Sequence, residues 1–206
     1  MVGASVERDQ IEGLSMLGVR RSGLTRSSYR LKRLFDLAGA TVMLVAVAPI
    51  MAAVALAVRL DTRGPLLFRQ TRVGRDGERF EIFKFRTVVS DARELADPRI
   101  TRVGRFLRRT ALDELPQLIN VWRGEMSLVG PRPLVVDDDA GIERLDRGRL
   151  RLTPGMTGHW QILGAARIPT HEMVAIDYLY VANWSLWTDL KILLRTVSYM
   201  LARRGV

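Results

Sequence analysis

Between Leu37 and Val58 lie 22 consecutive uncharged residues, and no other stretch restricts the fold as strongly. As one straight helix they would measure about 33 Å, just enough for a hydrocarbon core of about 30 Å. Eight of the 22 are alanine and Pro49 sits near the middle, so the run is only moderately apolar and its backbone bonding is interrupted. The flanks add a second constraint. Arg20, Arg21, Arg26, Arg30, Lys32 and Arg33 precede the run, and Arg59, Arg63, Arg69 and Arg72 follow it. Basic flanks stay on the cytoplasmic side of a membrane. The run is therefore expected to enter, break at Pro49 and return. A straight span fails that test. The competing reading is a buried helix in a soluble core, for which 22 uncharged residues are long.

The 206 residues suit one domain, or one domain with an attachment. Three segments are expected: a flexible basic arm over 1–30, the membrane segment over 31–60 and a compact domain over 61–206. With no cysteine, disulfides, thiolate metal sites and cysteine nucleophiles are excluded. Lys+Arg 32 against Asp+Glu 22 gives +10, which calls for an anionic partner: nucleic acid, an anionic membrane surface or phosphorylated substrates.

Local patterns give a coarse layout. Pro65 to Val88 is expected to form a β-hairpin around Gly74-Arg75-Asp76-Gly77, with Phe83 and Phe85 on one face and Lys84 and Arg86 on the other. Arginines at 99, 102, 105, 108 and 109 alternate with Ile100, Val103 and Leu107, a basic helical face opposite an apolar one. That face suits phosphate or plain solvent. Asp137-Asp138-Asp139 is expected to be a solvated loop or helix start, since consecutive residues point apart and no metal-loop pattern follows. His159 and His171 lack partners at metal spacing, and neither is expected to be catalytic. From Asn183 to Arg204 an amphipathic helix with Trp187 and basic residues fits a membrane interface and the protein's own core equally well.

The densest chemistry lies between Arg108 and Pro133. Pro116 is tolerated only in a helix's first turn. A helix is thus expected from near Leu112, with Asp113 and Glu114 in its first turn, kept ionised by the helix dipole. Helical neighbours point about 100° apart, so the two carboxylates suit two jobs, nucleophile and metal ligand, or simply cap the helix. Arg132, held between Pro131 and Pro133, displays a guanidinium rigidly enough to bind phosphate.

LDELPQLINV and GEMSLVGPRP, with Gly64-Pro65, Phe68-Arg69-Gln70, Lys84-Phe85-Arg86-Thr87 and Pro154-Gly155-Met156-Thr157-Gly158, resemble the bacterial sugar transferases, the monotopic phosphoglycosyl transferases. The resemblance runs from about Lys32 to Gly205. Departures are Ala48-Pro49 where Ser-Pro is usual, Val88 where methionine is usual, and Leu163-Gly164-Ala165-Ala166-Arg167 near a usual Asn-Gly-Arg. It implies a helix-rich α+β enzyme with a re-entrant helix-break-helix, a β-hairpin and amphipathic interfacial helices. Its place would be the cytoplasmic face of the bacterial inner membrane. The implied reaction moves a sugar 1-phosphate from a nucleotide-diphosphate sugar, a UDP-sugar, to polyprenyl (undecaprenyl) phosphate, releasing UMP, in exopolysaccharide or glycan assembly. Asp113 would be the nucleophile, passing through a phospho-aspartyl intermediate, and Glu114 the ligand of Mg2+. Arg108, Arg132 and Lys84 would hold phosphate. The rival classes are a basic nucleic-acid-binding protein, which leaves the apolar run unexplained, and a non-catalytic membrane scaffold.

Overall fold

The computed structural model describes residues 7–11, 14–18, 24–89, 100–142, 146–163 and 169–202. It is helix-rich α+β with small two-stranded sheets. Its longest element is helix α1, Arg26–Asp61, which contains the whole uncharged run. Thr25 starts it: its hydroxyl accepts the Ser28 N–H at 3.2 Å, satisfying one of the donors that a helix start leaves open. The expected break at Pro49 is not a break in the hydrogen-bonded spiral, which is continuous through it. A proline removes one donor and crowds the carbonyl four residues back. Ala46, Ala48, Ala52 and Ala53, strong helix formers on either side, carry the spiral across.

Both ends of α1 dock on the same globular body. Near its start, Lys32 donates to Asp189 at 2.7 Å, Asp36 accepts from the Ser127 hydroxyl at 2.8 Å and the Leu128 N–H at 3.1 Å, and Ala40 is fully buried. Near its end, Val54 and Val58 pack with Phe85 and Leu107, and Asp61 accepts the Val103 N–H at 3.2 Å. Between these anchors Val42 and Val45 are 69% and 73% exposed. Only 11% of the helix's most apolar 18-residue window is buried, which separates α1 from the core helix of a soluble domain.

Within the expected basic arm, β1 (Glu7–Ile11) pairs with β2 (Leu14–Gly18), and α1 begins at Arg26. The arm's residues 1–6, 12–13 and 19–23 lie outside the described residues. The second hairpin matches expectation. β3 (Leu67–Val73) runs antiparallel to β4 (Arg79–Phe85) with Phe68 opposite Lys84 and Arg72 opposite Phe80. Asp76 and Gly77 take positive φ of 56° and 86° in the turn, a conformation Gly reaches without strain.

Helix α2 (Arg102–Thr110) keeps Arg102, Arg105 and Arg109 on its exposed side and buries Leu107; Arg99 lies outside the described residues. After it come α3 (Gln117–Arg123), β5 (Ser127–Val129) and the short α4 (Val136–Ala140). Then β6 (Gly155–Thr157) pairs parallel with β5, followed by α5 (His159–Ile162), α6 (Thr170–Ala182) and α7 (Leu186–Ala202). The main core gathers Leu118, Val121, Met126, Val129, Tyr180 and Ile192. One Asp of the triplet departs from expectation. Asp137 and Asp138 are exposed, but Asp139 is buried against Arg147 and Arg149. Helix α7 packs on the protein's own core through Ile192, while Trp187, Leu194 and Val197 remain about 60% exposed.

Candidate active site

The acidic pair does not sit inside an α-helix. Leu112–Glu114 form a 3₁₀ turn, and α3 begins only at Gln117, after Pro116. A proline after an α-helical turn is costly, because its ring would crowd the carbonyl of Leu112 four residues earlier. The segment instead uses three-residue bonds, Glu114 N–H to Ala111 and Leu115 N–H to Leu112. Leu112 and Leu115 plug into the cluster of Val54, Val58, Phe85 and Leu107, which anchors the turn from one side. Asp113 and Glu114 line the cavity on the other.

Two further elements converge there. Helix α2 is latched to the end of the hairpin: the Thr101 N–H donates to the Thr87 carbonyl at 3.0 Å, and a Cβ on Gly104 would lie 2.2 Å from the same oxygen. Only glycine permits that approach. The latch brings Arg108, in the last turn of α2, within 2.9 Å of the Thr87 hydroxyl, to which its Nε donates. Ala111, at φ 53°, then turns the chain sharply into the 3₁₀ segment. From the hairpin, Lys84 donates to Glu114 Oε1 at 2.6 Å. Asp113, Glu114, Lys84, Arg108 and Gln161 thus border one cavity of about 350 Å³.

The helix dipole does not govern Asp113, contrary to the sequence argument. Burial, and then the neighbouring Glu114 charge, raise its pKa to about 6, against the opposing pull of Lys84 and Arg108. At neutral pH it is still largely ionised, but on a shallower margin than an ordinary carboxylate.

Arg132 lines a neighbouring cavity of about 90 Å³ that shares Arg72, Lys84 and Glu114 with the first. Its guanidinium lies 5.5 Å from the Trp160 ring centre. The rigidity expected from two prolines has a second source. The Arg132 N–H donates to Asp177 at 3.1 Å, and its carbonyl accepts from Arg149. Arg149 and Asp177, 1% and 2% exposed, are themselves paired at 3.1 Å. One buried ion pair therefore grips both polar atoms of the Arg132 backbone.

Sequence reasoning named Asp113, Glu114, Lys84, Arg108 and Arg132, all of which border the two adjoining cavities. It placed Pro49 in α1, away from both. It took Arg72 only as a membrane flank, whereas Arg72 borders both cavities and donates to Gln70 at 2.6 Å and the Pro133 carbonyl at 3.1 Å. The signal was available: Arg72 falls on the same hairpin face as Lys84 by simple alternation. Burial and the nearby Arg132 charge lower its pKa from the ordinary guanidinium value. Arg86, expected beside Lys84, is buried instead and donates to the carbonyls of Thr62 and Arg63 at the end of α1. It lies beyond the end of β4, where strand alternation no longer dictates its direction. Arg149 and Asp177 carried no sequence signal.

Comparison with known proteins identifies the family. A family model described as bacterial sugar transferase matches residues 27–203. The chain is 42% identical over 203 residues to an undecaprenyl-phosphate glucose phosphotransferase of Komagataeibacter xylinus, covering 89% of this chain and 38% of that protein. It is 40% identical over 205 residues to the UDP-glucose:undecaprenyl-phosphate glucose-1-phosphate transferase of Escherichia coli, covering 92% and 44%. The namesake enzyme of Caulobacter vibrioides is 44% identical over 185 residues, covering 82% and 69%. The chain thus spans about two fifths of the length of the first two relatives. With the match running through the hairpin, the acidic pair and the segment around Arg132, the chain belongs to the bacterial sugar transferase family.

Proposed function

We propose that this chain transfers a sugar 1-phosphate from a UDP-sugar to undecaprenyl phosphate, with Asp113 as nucleophile. The observation that carries the reading is the meeting of Asp113, Glu114, Lys84 and Arg108 around one cavity roomy enough for a diphosphate. A carboxylate with pKa about 6 is already ionised at neutral pH and needs no separate base. An Asp113 oxygen attacks the phosphorus that bears the sugar. The bond from that phosphorus to the bridging oxygen breaks, and UMP departs with the electron pair. An oxygen of the lipid phosphate then attacks the same phosphorus, the bond to Asp113 breaks, and the free carboxylate returns. Nucleotide and lipid therefore need not occupy the cavity together. Lys84, Arg108, Arg72 and Arg132 offset the negative charge of donor and transferred group.

Among the described residues no group of three or more His, Asp or Glu side chains gathers to cage a metal. Magnesium suits such a site, since it is bound by one or two carboxylates and completes its shell with substrate phosphate and water. Glu114 would hold it, Lys84 engaging only Oε1, and when bound it would offset phosphate charge.

The docking of both α1 ends on one body supports the re-entrant topology, and the basic flanks support placement at the cytoplasmic face. A helix crossing the bilayer would carry its ends to opposite sides, yet Lys32 and Val58 are buried in the same domain. The exposed middle of α1 and the apolar stripe of α7 would then meet lipid.

The test is UMP release from a panel of UDP-sugars in detergent, with and without undecaprenyl phosphate. Rapid quenching of labelled UDP-sugar without lipid should leave label on the peptide containing Asp113, with an equal amount of UMP. Label found only on lipid, with ternary-complex kinetics, would refute the covalent step.

A further inference from the structure

We infer that Gln161 recognises a neutral polar group of the nucleotide-sugar donor, donating one hydrogen bond to it and accepting another. The inference rests on the donor proposed above. Gln161 borders the large cavity from α5, across from the hairpin and the turn that carry Lys84, Asp113 and Glu114. Its seat is held from behind. Trp160, 8% exposed, donates its indole N–H to the Gly130 carbonyl at 3.1 Å. The His159 ring meets Tyr180 edge-on at 6.1 Å between ring centres. Gly158 permits this close fit, since a Cβ there would lie 2.4 Å from the Gly130 oxygen. Helical neighbours point about 100° apart. With His159 and Trp160 turned toward the body of the protein, Gln161 is half-buried at the cavity wall.

The chemistry of the wall decides what such a side chain can hold. Lysine and arginine only donate hydrogen bonds, and ionised carboxylates only accept them. Phosphate oxygens need donors, which Lys84, Arg72 and Arg108 supply. A sugar hydroxyl both donates and accepts, and so does the imide edge of uracil. A carboxamide answers both requirements with one planar group. Two other neutral side chains on the same wall are committed to arginines. Gln70 Oε1 accepts from Arg72 at 2.6 Å, and the Thr87 hydroxyl accepts from Arg108 at 2.9 Å. Gln161 therefore suits the uncharged part of the donor, while the cations take the diphosphate. The group it meets belongs either to the base or to the sugar.

Equilibrium binding to the full chain in detergent, without lipid, tests the assignment. The Asp113→Asn background keeps the donor intact during the measurement. Gln161→Met preserves length and helix preference but removes both hydrogen bonds, so the variant should fold. It should weaken UDP-glucose about three- to tenfold, the loss expected for one or two neutral hydrogen bonds. Inorganic pyrophosphate, which offers only acceptors, should bind both proteins within about twofold. UDP separates the two sources. A parallel loss for UDP assigns the contact to the nucleoside, and a loss confined to UDP-glucose assigns it to the sugar. Gln161→Glu, which keeps the size but brings a negative charge beside the phosphates, should weaken UDP-glucose further than Gln161→Met. Unchanged affinity for UDP-glucose and UDP in Gln161→Met would overturn the inference, as would an equal loss for pyrophosphate. If the protein with Gln161 intact binds neither UDP-glucose nor UDP, the donor reading itself falls and this inference with it. That result differs from failure of Gln161 alone, in which the parent protein still binds.

Discussion

Asp113 carries a charge that its surroundings disfavour, since burial and Glu114 lift its pKa to about 6 while Lys84 and Arg108 pull it down. A carboxylate whose folded value is raised costs stability above that pH, and the cost disappears as pH falls toward the ordinary carboxylate value. Each pH unit of displacement is worth about 1.4 kcal/mol, and residual solvent contact reduces the total to on the order of 1–2 kcal/mol. Asp113→Asn should therefore abolish turnover and raise stability at pH 7.5 by about that amount, as measured by urea unfolding. Loss of stability in that variant would show that the ionised carboxylate is not disfavoured in the fold. The kcat/KM profile should fall on the acid side through about pH 6. Lys84→Met should move that limb to higher pH and Glu114→Gln to lower pH, because the two neighbours act with opposite sign. Where residual activity is too low, carboxyl-carbon NMR titration gives the same quantity. Shifts in one common direction would contradict the electrostatics.

Two inter-element contacts hold the site in shape. The Arg149–Asp177 pair grips the Arg132 backbone, and burial raises Asp177 to about 6 even with Arg149 beside it. Arg149→Met would strand that carboxylate, which typically costs about 3–5 kcal/mol. The loss should be largest at pH 8 and smaller near pH 5.5, where Asp177 can take a proton. A denaturation series at the two pH values measures it, and a pH-independent loss would point to packing alone. The second contact is the seat of Gly104 on Thr87. A Cβ at 2.2 Å from a backbone oxygen forces α2 away from the hairpin. Gly104→Ala should destabilise by about 1–3 kcal/mol and lower kcat more than KM, since Arg108 moves with the helix.

For the whole molecule, the central question is which surfaces meet lipid. Lys32 and Arg33 were counted among the basic flanks, but the fold uses both internally: Lys32 pairs with Asp189, and Arg33 donates to the Val121 and Trp122 carbonyls at the end of α3. Among the described residues of the first flank, that leaves Arg26 and Arg30 on the outside. Single cysteines at Ser27 and Arg63 in this cysteine-free chain should both react with an impermeant maleimide only from the cytoplasmic side. Reaction of either from the outside would establish a spanning helix. Pro49→Leu should leave the labelling unchanged if the docked ends hold the topology. It should expose one end if the proline does.

Patterns with a short period were legible in the sequence. Alternation placed Lys84 on the cavity face of the hairpin, the turn residues Asp76 and Gly77 marked where it folds back, and the uncharged run marked α1. The acidic pair and Arg132 stood out because their neighbours are prolines, which restrict the backbone locally. Everything that depends on what lies opposite was decided by tertiary structure. The upward shift of Asp113 comes from burial, a property of the whole fold, and it outweighed the local dipole argument. The grip of Asp177 on Arg132 joins residues 45 positions apart, and no pattern of period two or three and a half encodes such a pair. The continuity of α1 through Pro49 followed the same logic. A proline's local cost is about 3 kcal/mol, and anchors at both ends of a 36-residue helix can outweigh it.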